Sequence, residues 1–251
     1  MDVPRAPHRW SVTPTQASAI QRRLAPLVRQ VPLAGAPRLV VGVDAAFSRD
    51  DRRCLAAAVV WDLREQSVVE QHVAVRPLTF PYVPGLLSFR EGPAVLAVLR
   101  KLRTLPDLLM YDGHGFAHPR RLGIACHIGV LLDRPAIGCA KSRLIGTHRE
   151  LGPRRGSAAP LLDDSEVIGS VLRTQDGVKP VFVSVGHLID LCGAQRIVLA
   201  CAIRYRLPEP TRLADHLVGA AKRAMGWPNQ STGLLSSSTR VDSRNRLNML
   251  K

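Results

Sequence analysis

An α/β fold, a mixed β-sheet flanked by helices, is what this sequence predicts, and three observations predict it. Three strand-length apolar runs follow one another at short spacing between residues 38 and 76. Strand-length and helix-length apolar runs then alternate up to residue 140, which implies parallel strands joined by helical crossovers. Two stretches with helical periodicity, 188–202 and 211–226, complete the pattern.

Thr13 before Pro14, with Gln16 three residues after the threonine, is a capping signature, and Ile20, Leu24, Leu27 and Val28 continue at helical spacing until Pro26 kinks or ends the helix. RLVVGVDAAF (38–47), CLAAAVVWDL (54–63) and SVVEQHVAVR (67–76) are expected as an antiparallel three-stranded meander, because their connections are short. PLTFPYVPGLLSFREG (77–92) is rich in proline and glycine and reads as a structured loop. The helix after it would start at Pro93 and leave Glu91 at its N-terminal edge. DLLMYDG (107–113) is a short buried strand ending in Asp112, 121–133 a helix, and PAIGCA (135–140) another strand. KSRLIGTHRELGPRR (141–155) is a basic surface loop, VKPVFVSVG (178–186) a further strand, and Thr211 the N-cap of the last helix. Residues 1–226 are expected to form one catalytic domain, and 227–251, polar and irregular, to be a disordered tail. No internal repeat is visible.

The chain has 251 residues, 46% of them hydrophobic, and 35 Lys and Arg against 20 Asp and Glu leave a formal charge of +15. The basic residues are spread along the chain, so the folded body itself is basic and a polyanion is the expected partner. No apolar run is long enough to span a bilayer, and the N-terminus does not resemble a secretory leader, so a cytoplasmic protein with no membrane partner is expected. The cysteines 54, 126, 139, 192 and 201 are odd in number and contain no CxxC pair; most lie in apolar runs and read as buried free thiols. Zinc is disfavoured, because Gly113, Gly115 and Pro119 break the helix that would align His114 with His118, and HGFAH lacks the glutamate of a zinc protease motif. Cys126 and His127 fit the buried face of the following helix.

Asp44 follows the apolar run LVVGV, and its strand can lie beside and parallel to the strand that ends in Asp112. In open sheets of this kind ligands collect beyond the carboxyl ends of strands. Carboxylates brought together there repel one another unless a cation sits between them, and hard oxygen ligands favour magnesium. Pairing with the abundant arginines, with Glu91 complementing a helix dipole, accounts for the same spacing equally well.

The motifs GVDAAF around Asp44, PYVPGLLSFREGP (81–93), DGHGFAHPRRLGIACHIGVLL from Asp112, PAIGCAKSRLIG from Pro135 and KPVFVSVGH from Lys179 resemble, in order, those of the endonuclease V family, deoxyinosine-directed repair nucleases with a ribonuclease H-like fold. The resemblance runs from the first helix to about residue 215. It implies that Asp44, Asp112 and Glu91 form the metal-binding catalytic centre, joined by Asp215, with Mg2+ as cofactor and Mn2+ as an alternative. Lys141, on spacing alone a solvated loop lysine, would then face the scissile phosphate, and His118 would sit at the active-site edge. Tyr82, otherwise a packed loop tyrosine, would be the wedge that enters DNA beside the lesion. Gly113, Gly115, Gly123 and Leu87 would line a pocket for the flipped base, where the glycines could equally serve tight turns; Arg120, Arg121 and Arg143 would contact phosphate.

The implied activity is hydrolysis of the second phosphodiester bond 3′ to deoxyinosine or another deaminated base in DNA, by a monomer, leaving 3′-hydroxyl and 5′-phosphate ends. Inosine in RNA is the alternative substrate. A basic binding module whose acids are only structural is the alternative outside catalysis. Phe47, His114 and Val185 depart from the commoner family pattern at positions that remove neither an acid nor the wedge.

Overall fold

The computed structural model describes residues 1–227, so all but the first residue of the tail expected at 227–251 lies outside the described residues. Trp227, assigned to that tail, is instead buried against Leu55, Ala57 and Val218.

Helix α1 (Pro14–Leu24) opens with the expected capping box, in which the Thr13 side chain accepts from the Gln16 N–H, and one 3-10 turn at Ala25–Leu27 ends it at Pro26. The meander is β1 (Leu39–Phe47), β2 (Arg53–Asp62) and β3 (Ser67–Pro77), antiparallel throughout. Next come α2 (Leu87–Leu99), β4 (Leu108–Tyr111), α3 (Ile124–Leu132) and β5 (Ala136–Ala140), with β4 parallel to both β1 and β5. The rest is β6 (Ala158–Asp163), β7 (Glu166–Leu172), β8 (Val181–His187), α4 (Leu191–Cys201) and α5 (Glu209–Ala224). One sheet results among the described residues, in the order β3-β2-β1-β4-β5-β8-β7-β6.

Strand alternation divides the core between the two faces. Val41, Val43, Leu109 and Tyr111 pack with α2 and α3, while Val40, Leu108 and Met110 pack with α4. Gly42 belongs to the second face and lets α5 lie directly on β1, since a Cβ there would stand 2.0 Å from the Pro210 carbonyl carbon. Four cysteines are buried as expected, and Cys192 is exposed.

Two expectations are corrected and one element is added. Helix α2 starts at Leu87, so Glu91 lies a turn inside it and Pro93 is in its interior. An interior proline costs about 3 kcal/mol, but burying a large apolar side chain returns roughly 1.5–3 kcal/mol, and Leu86 and Phe89 are both buried at this end. Helix α5 begins at Glu209, and Thr211 is not its cap; the threonine hydroxyl donates to the Pro208 carbonyl from within the first turn. The β6–β7 hairpin, left unassigned by the sequence, extends the sheet past β8 through the turn at Asp164, whose φ is +54°.

Candidate active site

Val43 of β1 pairs with Tyr111 of β4, so the next residues, Asp44 and Asp112, stand side by side where the parallel pair ends. The Asp112 N–H donates to the Val43 carbonyl at 3.2 Å and holds that register. Asp44 follows Val40 and Gly42 on the face covered by α5, and α5 delivers Asp215 to the same place. Carboxylate oxygens of Asp44, Asp112 and Asp215 lie within 4.8 Å of one another. Lys141, just after β5, reaches into this group from the opposite side, with Nζ 2.5 Å from Asp112 and 3.3 Å from Asp215.

Burial, then the Asp112 charge, pushes the Asp44 carboxyl up to about 7. Burial also raises Asp112, against the opposing pull of Lys141. Burial works against the Lys141 charge as well, but Asp112 and the hydrogen bond to it outweigh that and hold the ammonium above its usual range. A cluster of hard oxygens whose own charges are disfavoured, neutralised in part by one ammonium, fits a divalent cation. Glu91 approaches from α2, on the other side of the sheet, and is not a member of the three-carboxylate group. Burial first, then Asp44 and Asp112, raise its carboxyl well above the usual range.

A cation that displaces the Asp44 proton binds more tightly as pH rises. Affinity for a divalent cation is expected to increase about tenfold per pH unit below 7 for each proton released, and to level off above 7. Titration calorimetry between pH 5.5 and 8 measures this, and a flat profile below 7 rejects it. Melting temperature is the wrong readout, because burial holds His8, His114, His118, His127 and His187 below their usual range. Those groups make stability rise with pH up to about 6.5, opposite in sign to Asp44.

Beside the carboxylates lies a cavity of about 170 Å³, bounded by Tyr82, Leu87, Gly113, His118, Gly123 and Leu144 among others. A cavity of roughly 150 Å³ holds a benzene ring, so this one has room for a planar aromatic group. Gly113 links it directly to Asp112. Tyr82 stands at its edge and is 72% exposed, more than the other exposed large hydrophobic side chains.

Gly115 is not on the cavity wall. Its absent Cβ is needed because the Val185 carbonyl oxygen of β8 would stand 2.1 Å away, and its N–H donates to Ser184 Oγ. His118 is locked between loops: Nε2 donates to the Gly85 carbonyl at 2.8 Å and Nδ1 accepts from the Arg120 N–H at 3.1 Å. The ring is therefore neutral, with its pKa lowered to about 4 by burial, and it ties the Tyr82 loop to the turn after β4. Of the three guanidiniums expected at phosphate, two are engaged within the protein. Arg120 donates to Gln21 and to the Gly85 carbonyl, and Arg121 pairs with Asp163 at 2.8 Å and Glu166 at 2.7 Å. Arg143 is exposed and belongs to no ion pair among the described residues.

Two residues at the site escape sequence reasoning. Gln21 donates to the carbonyls of Gly85 and Leu122 while accepting from Arg120, bracing both walls of the cavity from α1. Arg90 pairs with Asp51, donates to the Phe80 carbonyl and lies 4.3 Å over the Phe47 ring, beside Glu91. A polar residue on an amphipathic helix gives no signal of either role.

A mixed sheet with helices on both faces, and carboxylates gathered where its central parallel strands end, defines a nuclease of the metal-dependent, ribonuclease H-like kind. The profile of the Endonuclease V family matches residues 22–216, and the chain belongs to that family. Endonuclease V of Roseiflexus castenholzii is 52% identical over 219 residues, 87% of this chain and 98% of the relative. The crystal structure of Endonuclease V from Streptomyces avermitilis superposes with a TM-score of 0.83 at 45% identity, covering 90% of this chain and all of that one. Endonuclease V of Ciona intestinalis, in complex with DNA containing an inosine followed by a ribo-adenosine, gives a TM-score of 0.74 at 26% identity over 84% of this chain and 98% of that one.

Proposed function

We propose that this endonuclease acts on DNA containing deoxyinosine or another deaminated base and hydrolyses the second phosphodiester bond 3′ to it, with 3′-hydroxyl and 5′-phosphate products. The observation that carries the reading is the adjacency of Asp112 and Gly113, which sets a three-carboxylate centre one residue from a cavity sized for a planar ring.

Asp44, Asp112 and Asp215 would hold Mg2+, or Mn2+ in its place. When bound, such a cation polarises a phosphoryl oxygen and helps to activate water. Glu91, the desolvated acid opposite them, is suited to orient the attacking water and carry a proton at its carboxyl. Lys141 is positioned to leave Asp112 for the scissile phosphate, offsetting charge as it develops. Tyr82, exposed at the cavity edge, would fill the space left in the stack when a base enters the cavity. Unstacking costs a few kcal/mol, roughly, and less for a poorly paired base, which favours the lesion. In this scheme Arg120 braces the cavity wall through Gln21 and Gly85, Arg121 holds the β6–β7 hairpin, and Arg143 remains available to phosphate. The chain would act as a monomer in the cytoplasm, and no helix of the described residues is long and apolar enough to cross a membrane.

Nicking of an inosine-containing duplex with Mg2+, lost on chelation and absent on the matched adenine duplex, is the expected result; equal nicking of both duplexes overturns the lesion reading. Tyr82→Ala should weaken binding to the inosine duplex by about 1–3 kcal/mol more than to undamaged duplex. Equal losses would reject a wedge. The ribo-adenosine after the inosine in the Ciona complex supports a second reading, in which a 2′-hydroxyl is accepted and inosine in RNA is also cut. Matched inosine strands of DNA and RNA separate the two.

A further inference from the structure

The segment before α1 precedes the family profile and is built into the fold. Val3 is 8% exposed, Trp10 lies over Gly92 so closely that a Cβ there would stand 2.5 Å from its ring, and His8 Nε2 meets His127 Nε2 at 2.8 Å. The His8 ring also packs 4.7 Å from Trp10 and 5.5 Å from Phe89. This anchored arm forms one side of an open groove of about 570 Å³, and α2 and the end of β3 form the other.

Four arginines converge on that groove: Arg5 and Arg9 from the arm, Arg76 from β3 and Arg100 from the end of α2. All four are exposed, none is in an ion pair among the described residues, and no acidic side chain lines the groove. Unpaired like charges held close together repel and are disfavoured unless a counter-charge is received. One end of the groove, at Arg76, lies at the catalytic end of the sheet. β3 runs in the same direction as β1, so Arg76 lies at the end where Asp44 stands, and α2 turns Glu91 toward the carboxylates while Pro93, Leu96 and Arg100 follow the groove.

We propose that this groove is a second nucleic-acid contact that receives backbone phosphates of the duplex flanking the lesion, extending the footprint beyond the cavity and wedge. The inference rests on the proposed nucleic-acid function. Its energetic logic is electrostatic and independent of base sequence, because arginine forks engage phosphate oxygens and release counterions without reading base edges. The anchored arm holds Arg5 and Arg9 in place before binding, so less ordering entropy opposes the contact.

The test compares two inosine duplexes, roughly one helical turn and roughly four turns long, with wild type and the variant carrying Arg5→Ala, Arg9→Ala, Arg76→Ala and Arg100→Ala. Binding to the long duplex is expected to fall about 10- to 100-fold, and the slope of log affinity against log salt to shrink by about 0.9 for each phosphate no longer engaged. Binding to the short duplex, and its nicking rate at saturating protein, should stay unchanged, and lysine at the same four positions should restore most of the long-duplex affinity. An unchanged long-duplex affinity and salt slope overturns the proposal, as does an equal loss on the short duplex. If wild type nicks neither duplex, the proposed function falls, while the difference between long- and short-duplex binding still decides the groove.

Discussion

Asp112→Asn is expected to slow nicking of an inosine duplex about a thousandfold while leaving the melting temperature unchanged or slightly raised. Asp112 lies within 4.8 Å of Asp44 and Asp215 and pairs with Lys141, so an amide removes a ligand charge and one of the two carboxylates that hold the lysine. Losing about 4 kcal/mol of charge stabilisation in the transition state is roughly a thousandfold in rate. Folding should not suffer, because the carboxyl is raised by burial and a neutral amide relieves repulsion with Asp44. Single-turnover nicking with saturating Mg2+ checks the first part and thermal unfolding in chelator the second. A variant that nicks at the wild-type rate removes Asp112 from the centre.

Gly42→Ala should destabilise the protein by about 3 kcal/mol and weaken divalent-cation binding by roughly 10- to 100-fold. The new methyl would sit 2.0 Å from the Pro210 carbonyl carbon and 2.1 Å from its oxygen, and both are backbone of the first turn of α5. The helix must move off β1, and Asp215, five residues further along it, moves too. Gly35→Ala is the control, since a Cβ there meets nothing within 4 Å and the change should stay within about 0.5 kcal/mol. Denaturant unfolding and cation titration of both variants test the link. Full cation affinity in a destabilised Gly42→Ala protein would show that Asp215 is not needed for binding.

These two variants probe parts of the molecule that the sequence makes legible to different degrees. Apolar runs of strand length and short connections are enough for β1 to β3 and for the parallel pair β1 and β4, because a strand buried on both faces shows as an unbroken apolar stretch. The start of α2 is not legible. Its proline marks a normal helix start, and only burial of Leu86 and Phe89 makes an interior position tolerable. The β6–β7 hairpin escapes a reading by periodicity, although LLDDSEVIGSVL carries a turn between two apolar runs.

At the site, residue type identifies the acids and contact geometry decides the rest. Asp44 and Asp112 stand out because a carboxylate after a buried strand needs a reason to be there. The resemblance implies phosphate contacts for the arginines after Pro119, yet Arg121 is neutralised by Asp163 and Glu166, which come from a hairpin about 45 residues away in the chain. His118 shows the same limit, since both ring nitrogens are used within the protein.

By itself the sequence determined the sheet-and-helix class, the central acids, the glycine-rich turn beside them and a basic surface. Those features are local, being set by strand period, residue charge and backbone freedom. Only the tertiary structure decided that Glu91 comes from the other side of the sheet and stays outside the group of Asp44, Asp112 and Asp215, which glycines border the cavity, and which arginines remain unpaired. Those outcomes depend on which face of the sheet each helix covers and on partners far apart in the chain, and hydrogen bonds and ion pairs are made between neighbours in space.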